Sequence, residues 1–137
     1  MAREHLSIRV DAATKDELER EASRRGTTRT TLAESLLREG IRAAAHPGIT
    51  FRDGPAGRRP GLTGGPDVWE VVRVWMDEDR DSGATAATLG LPSGLVEAAI
   101  DYYGQYREEV DRWIERNDAL AAEAEAVWLR RRAVRSE

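Results

Sequence analysis

His5-Leu6-Ser7-Ile8-Arg9-Val10 alternates polar and apolar without a break, which puts His5, Ser7 and Arg9 on one face and Leu6, Ile8 and Val10 on the other. A period of two predicts a half-buried strand. The pattern then changes. Asp11 stands where a helix N-cap belongs, and residues 12–25 predict a helix with Arg24 and Arg25 in its last turn, as the dipole favours, closed by Gly26. Thr27 and Thr28 offer a second N-cap, and Leu32, Leu36, Leu37 and Ile41 make an apolar stripe along a helix over residues 29–44. His46-Pro47-Gly48 marks a boundary, after which residues 49–51 and 58–62 predict two short strands around an Asp53–Gly57 turn.

Asp67 opens the next helix with Glu70 three residues on, a capping box, and Val68, Val71, Val72, Trp75 and Met76 predict its buried face. Asp77–Gly83 resembles a calcium loop only briefly. Counted from Asp77, the sixth and twelfth positions are Ser82 and Thr88, where glycine and glutamate are required, so an acidic helix end and loop is the better reading. Short helices are expected over residues 84–89 and 94–103 around Gly90–Ser93, with Gly104 as a stop. The longest periodic segment runs from Tyr106 to about Arg132, with Val110, Trp113, Ile114, Asn117, Leu120, Ala121, Ala124, Val127 and Trp128 on one stripe.

A lone short strand has two unpaired edges, and two short helices cannot cover it. Pairing two copies antiparallel across a two-fold axis solves both problems, with Leu6, Ile8, Val10, Leu32 and Leu36 in the dimer core. The order strand, helix, Gly-Thr-Thr, helix over residues 3–45 resembles the ribbon-helix-helix family of bacterial repressors and antitoxins. That resemblance implies an obligate dimer whose two-stranded ribbon lies in the DNA major groove. His5, Ser7 and Arg9 would read base edges, and the amides around Thr28 and Arg29 would hold a backbone phosphate. The residue-level alternative, in which the strand joins an ordinary sheet and its outer face is merely wet, stays open.

A second run, His46-Pro47-Gly48-Ile49, Phe51-Arg52-Asp53-Gly54, Gly57-Arg58-Arg59-Pro60, Asp67-Val68-Trp69-Glu70 and then residues 98–103 with Ile114, resembles the small helix-turn-helix antitoxin domain of VapB-type proteins. Relatives of that kind accompany a PIN-like ribonuclease toxin. In them the domain often stands alone, whereas here it follows the N-terminal module. The outer face of residues 94–103 carries Glu97 and Asp101, which repel phosphate, so this helix is expected to be scaffold or a protein-binding face.

Charge separates the regions further. Residues 1–45 carry nine basic and eight acidic side chains, whereas residues 67–128 hold five arginines against fifteen carboxylates. The last nine residues return to four arginines against Glu137. An acidic body between basic ends suggests more than one partner. A chain this poor in net positive charge argues against an architectural DNA-binding protein. With no cysteine and two distant histidines (His5 and His46), no disulfide, metal site or cofactor is expected. No nucleophile is paired with a histidine base, so an enzyme is not expected. No run reaches the roughly 18 apolar residues of a membrane span, and no secretory segment is seen, so the expected location is the cytoplasm, nucleoid-associated when bound to an operator.

The expected fold is therefore mainly α with a short β-ribbon. It comprises a ribbon-helix-helix module over residues 1–45, a hairpin and helix-turn-helix-like α domain over residues 46–117, and a C-terminal helix and tail over residues 118–137. The expected function is that of a type II antitoxin. It would bind operator DNA as a homodimer, alone or in a larger assembly with its toxin, and would inhibit a PIN-like endoribonuclease through Leu120, Val127, Trp128, Arg130, Arg131, Arg132 and Arg135. The competing reading is a stand-alone ribbon-helix-helix repressor whose acidic domain binds another regulator.

Overall fold

A computed structural model describes residues 2–54 and 57–137, and Pro55 and Ala56, within the expected hairpin turn, lie outside the described residues. The chain is mainly helical, with one small antiparallel sheet, and divides into two units at Arg42/Ala43.

In the first unit, α1 (Ala12–Arg25) starts where Asp11 Oδ1 accepts the Thr14 N–H at 2.7 Å. It ends at Gly26, whose φ of 68° is left-handed and lets the Thr27 N–H reach the Ala22 carbonyl at 2.9 Å. α2 (Arg29–Ala45) starts at Thr28, whose Oγ1 accepts the Thr31 N–H at 3.1 Å. Only Ala22 and Leu32 are buried hydrophobics in this unit among the described residues. The rest of the expected α2 stripe is open, with Ile41 68% exposed.

The expected strand over residues 5–10 is not formed in the single chain. Residues 2–10 have no regular secondary structure, and Leu6, Ile8 and Val10 are 70%, 61% and 50% exposed. A strand exists through hydrogen bonds to a neighbour, and among the described residues none lies beside this segment. Leu6, Ile8, Val10 and Leu36 are thus not core within one chain, whereas Leu32 is.

The second unit is built on the hairpin β1 (Ile49–Arg52) and β2 (Arg59–Leu62), paired Ile49 to Leu62 and Arg52 to Arg59. α3 (Val68–Asp77) follows through a capping box in which the Asp67 N–H donates to Glu70 Oε2 at 2.8 Å. α4 (Ser82–Leu89) is capped by Asp81, which accepts the Ala84 N–H at 2.9 Å, and so begins two residues earlier than expected. α5 (Ser93–Gln105) runs straight through Gly104. A helical glycine costs only about 1 kcal/mol against alanine, and the stop falls instead at Tyr106, which departs from helical geometry (φ −121°, ψ 45°) and joins α5 to α6. α6 (Arg107–Arg135) is one unbroken helix, so the expected boundary between residues 117 and 118 lies inside it.

The core of this unit gathers Ile49 and Leu62 from the hairpin, Val68, Val71 and Val72 from α3, Val96, Ala99, Tyr102 and Tyr103 from α5, and Val110 from α6. The i, i+3, i+4 spacing in α3 delivers the three valines as expected. Met76 does not join them. It is exposed, because α3 ends one residue later and the chain turns away through Asp79 and Arg80, both with positive φ.

Candidate nucleic-acid and partner surfaces

The conspicuous Arg, Gly and Asp positions of the hairpin meet at Asp67. This carboxylate is buried, accepts Trp69 Nε1 at 3.1 Å, pairs with Arg59 Nε, and lies 3.5 Å from Arg52 Nε. Arg52 Nη2 also donates towards the carbonyls of Leu62, Gly65 and Pro66 at 3.0, 2.8 and 3.2 Å. Two glycines make room for the two guanidinium groups. A Cβ on Gly61 would stand 1.9 Å from Arg52 Nη2, and a Cβ on Gly54 1.6 Å from Arg59 Nη1. The cluster ties the loop before α3 to both strands, with the one carboxylate of Asp67 set between two guanidinium groups. It is a fastening between the hairpin and α3. Sequence reasoning placed these residues in a motif but did not find their mutual contact; the signal was Gly61, two positions on from the Arg59 that pairs with Arg52, in a strand too short to waste a side chain.

Of the expected base readers, His5, Ser7 and Arg9 are all exposed. His5 Nε2 and Ser7 Oγ lie 2.7 Å apart, so two of the three meet on one side of the segment, as a period of two requires. Arg9 makes no ion pair among the described residues. Arg3 anchors the segment on α2 through Glu34 Oε2 at 2.6 Å, and this hydrogen bond holds the Glu34 carboxyl below its ordinary range. At the α2 N-terminus, Thr28 is occupied as a cap and Arg29 pairs with Glu19 at 2.8 Å, so an arriving phosphate would exchange for that carboxylate. On α1, Glu21 is bound by Arg24 and Arg25 and its carboxyl is lowered to about 2.

Glu97 and Asp101 are exposed on α5, as expected, and make that face acidic. Tyr103 reaches Asp111 Oδ1 at 2.7 Å across the α5–α6 joint, and burial first, then this bond, raises its hydroxyl pKa. His46 bonds Gln105 at 2.8 Å and packs edge-on against Tyr102 and Tyr106, a contact no periodicity announced.

Along α6, burial stops. Val110 is in the core and Asn117 is half-buried, but Leu120, Trp128 and Leu129 are exposed, as are Arg130, Arg131, Arg132 and Arg135. Arg132 stacks over the Trp128 ring at 5.4 Å, so cation and apolar surface already adjoin. Leu120, Glu123, Ala124, Val127, Trp128 and Arg131 surround a shallow hollow on this face. Among the described residues no group of three or more His, Cys, Asp or Glu side chains could hold a metal ion, and no helix is long and apolar enough to cross a membrane. Comparison with protein-family models, curated proteins and solved structures found no match to this chain.

Proposed function

We propose that this chain is a type II antitoxin of the VapB kind: a homodimer that represses its own operon through a ribbon-helix-helix module and neutralises a PIN-like endoribonuclease through α6. The observation that carries the reading is the exposed, alternating segment Leu6-Ser7-Ile8-Arg9-Val10 ahead of two well-capped helices. Three apolar side chains held in water cost free energy, at about 25 cal/mol per Å² of apolar surface, that pairing with a second copy removes. The same pairing points His5, Ser7 and Arg9 outwards together, where Arg9 suits a guanine edge. At the other end, Trp128 is an aromatic anchor and the arginines beside it are permanently charged, planar donors. One of them entering a carboxylate-lined nuclease cleft would compete with metal or with RNA phosphate.

The test uses the DNA upstream of the gene and the product of the adjacent gene. The full chain protects a discrete operator, and Arg9→Ala weakens that binding by about 1–3 kcal/mol while relaxing base preference. The chain also inhibits RNA cleavage by the neighbouring product, and both Trp128→Ala and a chain ended after Ala126 lose that inhibition while keeping the operator. Operator affinity unchanged by Arg9→Ala, or full inhibition by the shortened chain, overturns the corresponding half.

A further inference from the structure

The exposed face of α6 is complementary to itself. Leu120, Glu123, Ala124 and Val127 fall at i, i+3, i+4 and i+7, the four corners of a hole in knobs-into-holes packing, and they border the hollow on this helix. Asn117, Leu120, Ala124, Val127, Arg131 and Val134 continue the same three-and-four spacing along the helix.

Rotating a second α6 about a two-fold axis between Ala124 and Val127 places Val127 of the partner subunit over Ala124, and the reverse. The stem of the partner's Arg131 then covers Leu120 with its head in solvent. At the edges of the seam, small meets large, Ala121 against the partner's Trp128, and opposite charges meet, Glu123 against the partner's Arg130. The helix dipoles run in opposite senses, which is favourable. A parallel pair loses these matches, because it sets Arg130 beside the partner's Arg135.

We infer that α6 pairs antiparallel with α6 of a second copy through Leu120, Ala124 and Val127, with Glu123 and Arg130 as the selecting charges. The seam is separate from the N-terminal strand pairing, so either contact can hold two chains together without the other. It uses the face proposed above for the nuclease, so the two occupants exclude each other. Strand pairing also associates full chains, so the readout for the seam is the change produced by exchanging Glu123 and Arg130, measured with no nuclease present.

The experiment is sedimentation equilibrium of the full chain and charge-exchanged variants. Glu123→Arg and Arg130→Glu each set like charges opposite at two symmetric places and weaken association about tenfold. An equimolar mixture of the two variants restores it, because a mixed pair has opposite charges at both places. Both residues are exposed on the helix surface, so helical content by circular dichroism stays constant. Since the chain has no cysteine, a second measurement is available. Ala124→Cys and Val127→Cys chains, mixed and oxidised, cross-link to each other, whereas a parallel seam cross-links Ala124→Cys to itself. Single variants with wild-type association, a mixture no tighter than either variant, or preferential Ala124→Cys self-linking overturns the proposal.

Discussion

The two units have equally good helices and unequal interiors. α1 and α2 are capped by Asp11, Gly26 and Thr28, and α3 and α4 by Asp67 with Glu70 and by Asp81. Yet among the described residues the first unit buries two hydrophobic side chains, Ala22 and Leu32, whereas the second buries ten, Tyr102 and the three valines of α3 among them. Caps decide where a helix starts and stops, each worth about 1 kcal/mol, but packing of an apolar face decides whether the unit stands alone. The second unit has its partners within the chain. The first leaves Leu6, Ile8 and Val10 and most of the α2 stripe exposed.

The comparison breaks most visibly in the core. Tyr102→Ala removes a fully buried ring and is expected to cost the second unit about 3–5 kcal/mol in denaturant unfolding. A loss under 1 kcal/mol would mean that this core does not hold the unit. Close behind, Asp67→Ala leaves Arg52 and Arg59 without their carboxylate in a buried site, at about 3 kcal/mol. Asp67→Asn is the sharper probe, because it can keep one acceptor oxygen for Trp69 and Arg59 while it removes the charge and turns the oxygen beside Arg52 into a donor.

For the first unit the sign depends on concentration. Its unfolding midpoint is expected to rise with protein concentration, and Ile8→Ser to abolish that rise while leaving the second unit's transition in place. A midpoint independent of concentration in the native chain removes the need for a second copy. Acid gives the smallest effect. Asp11 and Glu21 have carboxyls lowered in the folded chain, Asp11 by the Thr14 backbone hydrogen bond and Glu21, to about 2, by Arg24 and Arg25. Lowered groups stabilise above their unfolded value and lose that contribution as pH falls through the folded one. The α1 helix signal should therefore decline between about pH 4.5 and 2, the ordinary and lowered values of Glu21, and Glu21→Gln should flatten the decline.

Legibility follows the range of the interactions. Asp11, Gly26, Asp67 and Glu70 act within four residues, so composition and spacing reveal them. The hairpin is readable for the same reason, as Gly48 and the Asp53–Gly57 turn bracket it. Gly104 misled because a glycine's cost is small beside the burial of Tyr102 and Tyr103 in the same helix. Met76 misled because periodicity tells which face a residue occupies and not where the neighbouring element ends. The segment over residues 5–10 is the extreme case: alternation predicts a strand, and none forms because among the described residues no neighbouring strand pairs with it. At the candidate surfaces, the exposure of Trp128 and the arginines was readable from their excess over the available core. The Asp67 fastening was not, since its members are up to fifteen positions apart.

That fastening has a consequence for how the chain can change over generations. The guanidinium of Arg52 occupies the volume where residue 61 would carry a side chain, and that of Arg59 does the same for residue 54. Each arginine is in effect the side chain of its glycine, supplied from elsewhere. A methyl group at position 61 therefore pushes the end of the Arg52 side chain out of its place unless residue 52 has been shortened first, and the order of the two steps matters. Shortening first leaves a gap that a new methyl group partly fills, while enlarging first displaces a cation from three carbonyls and a carboxylate. In descendants of this sequence that keep the fastening, each arginine would be inherited together with its glycine, as a single character spread over two codons.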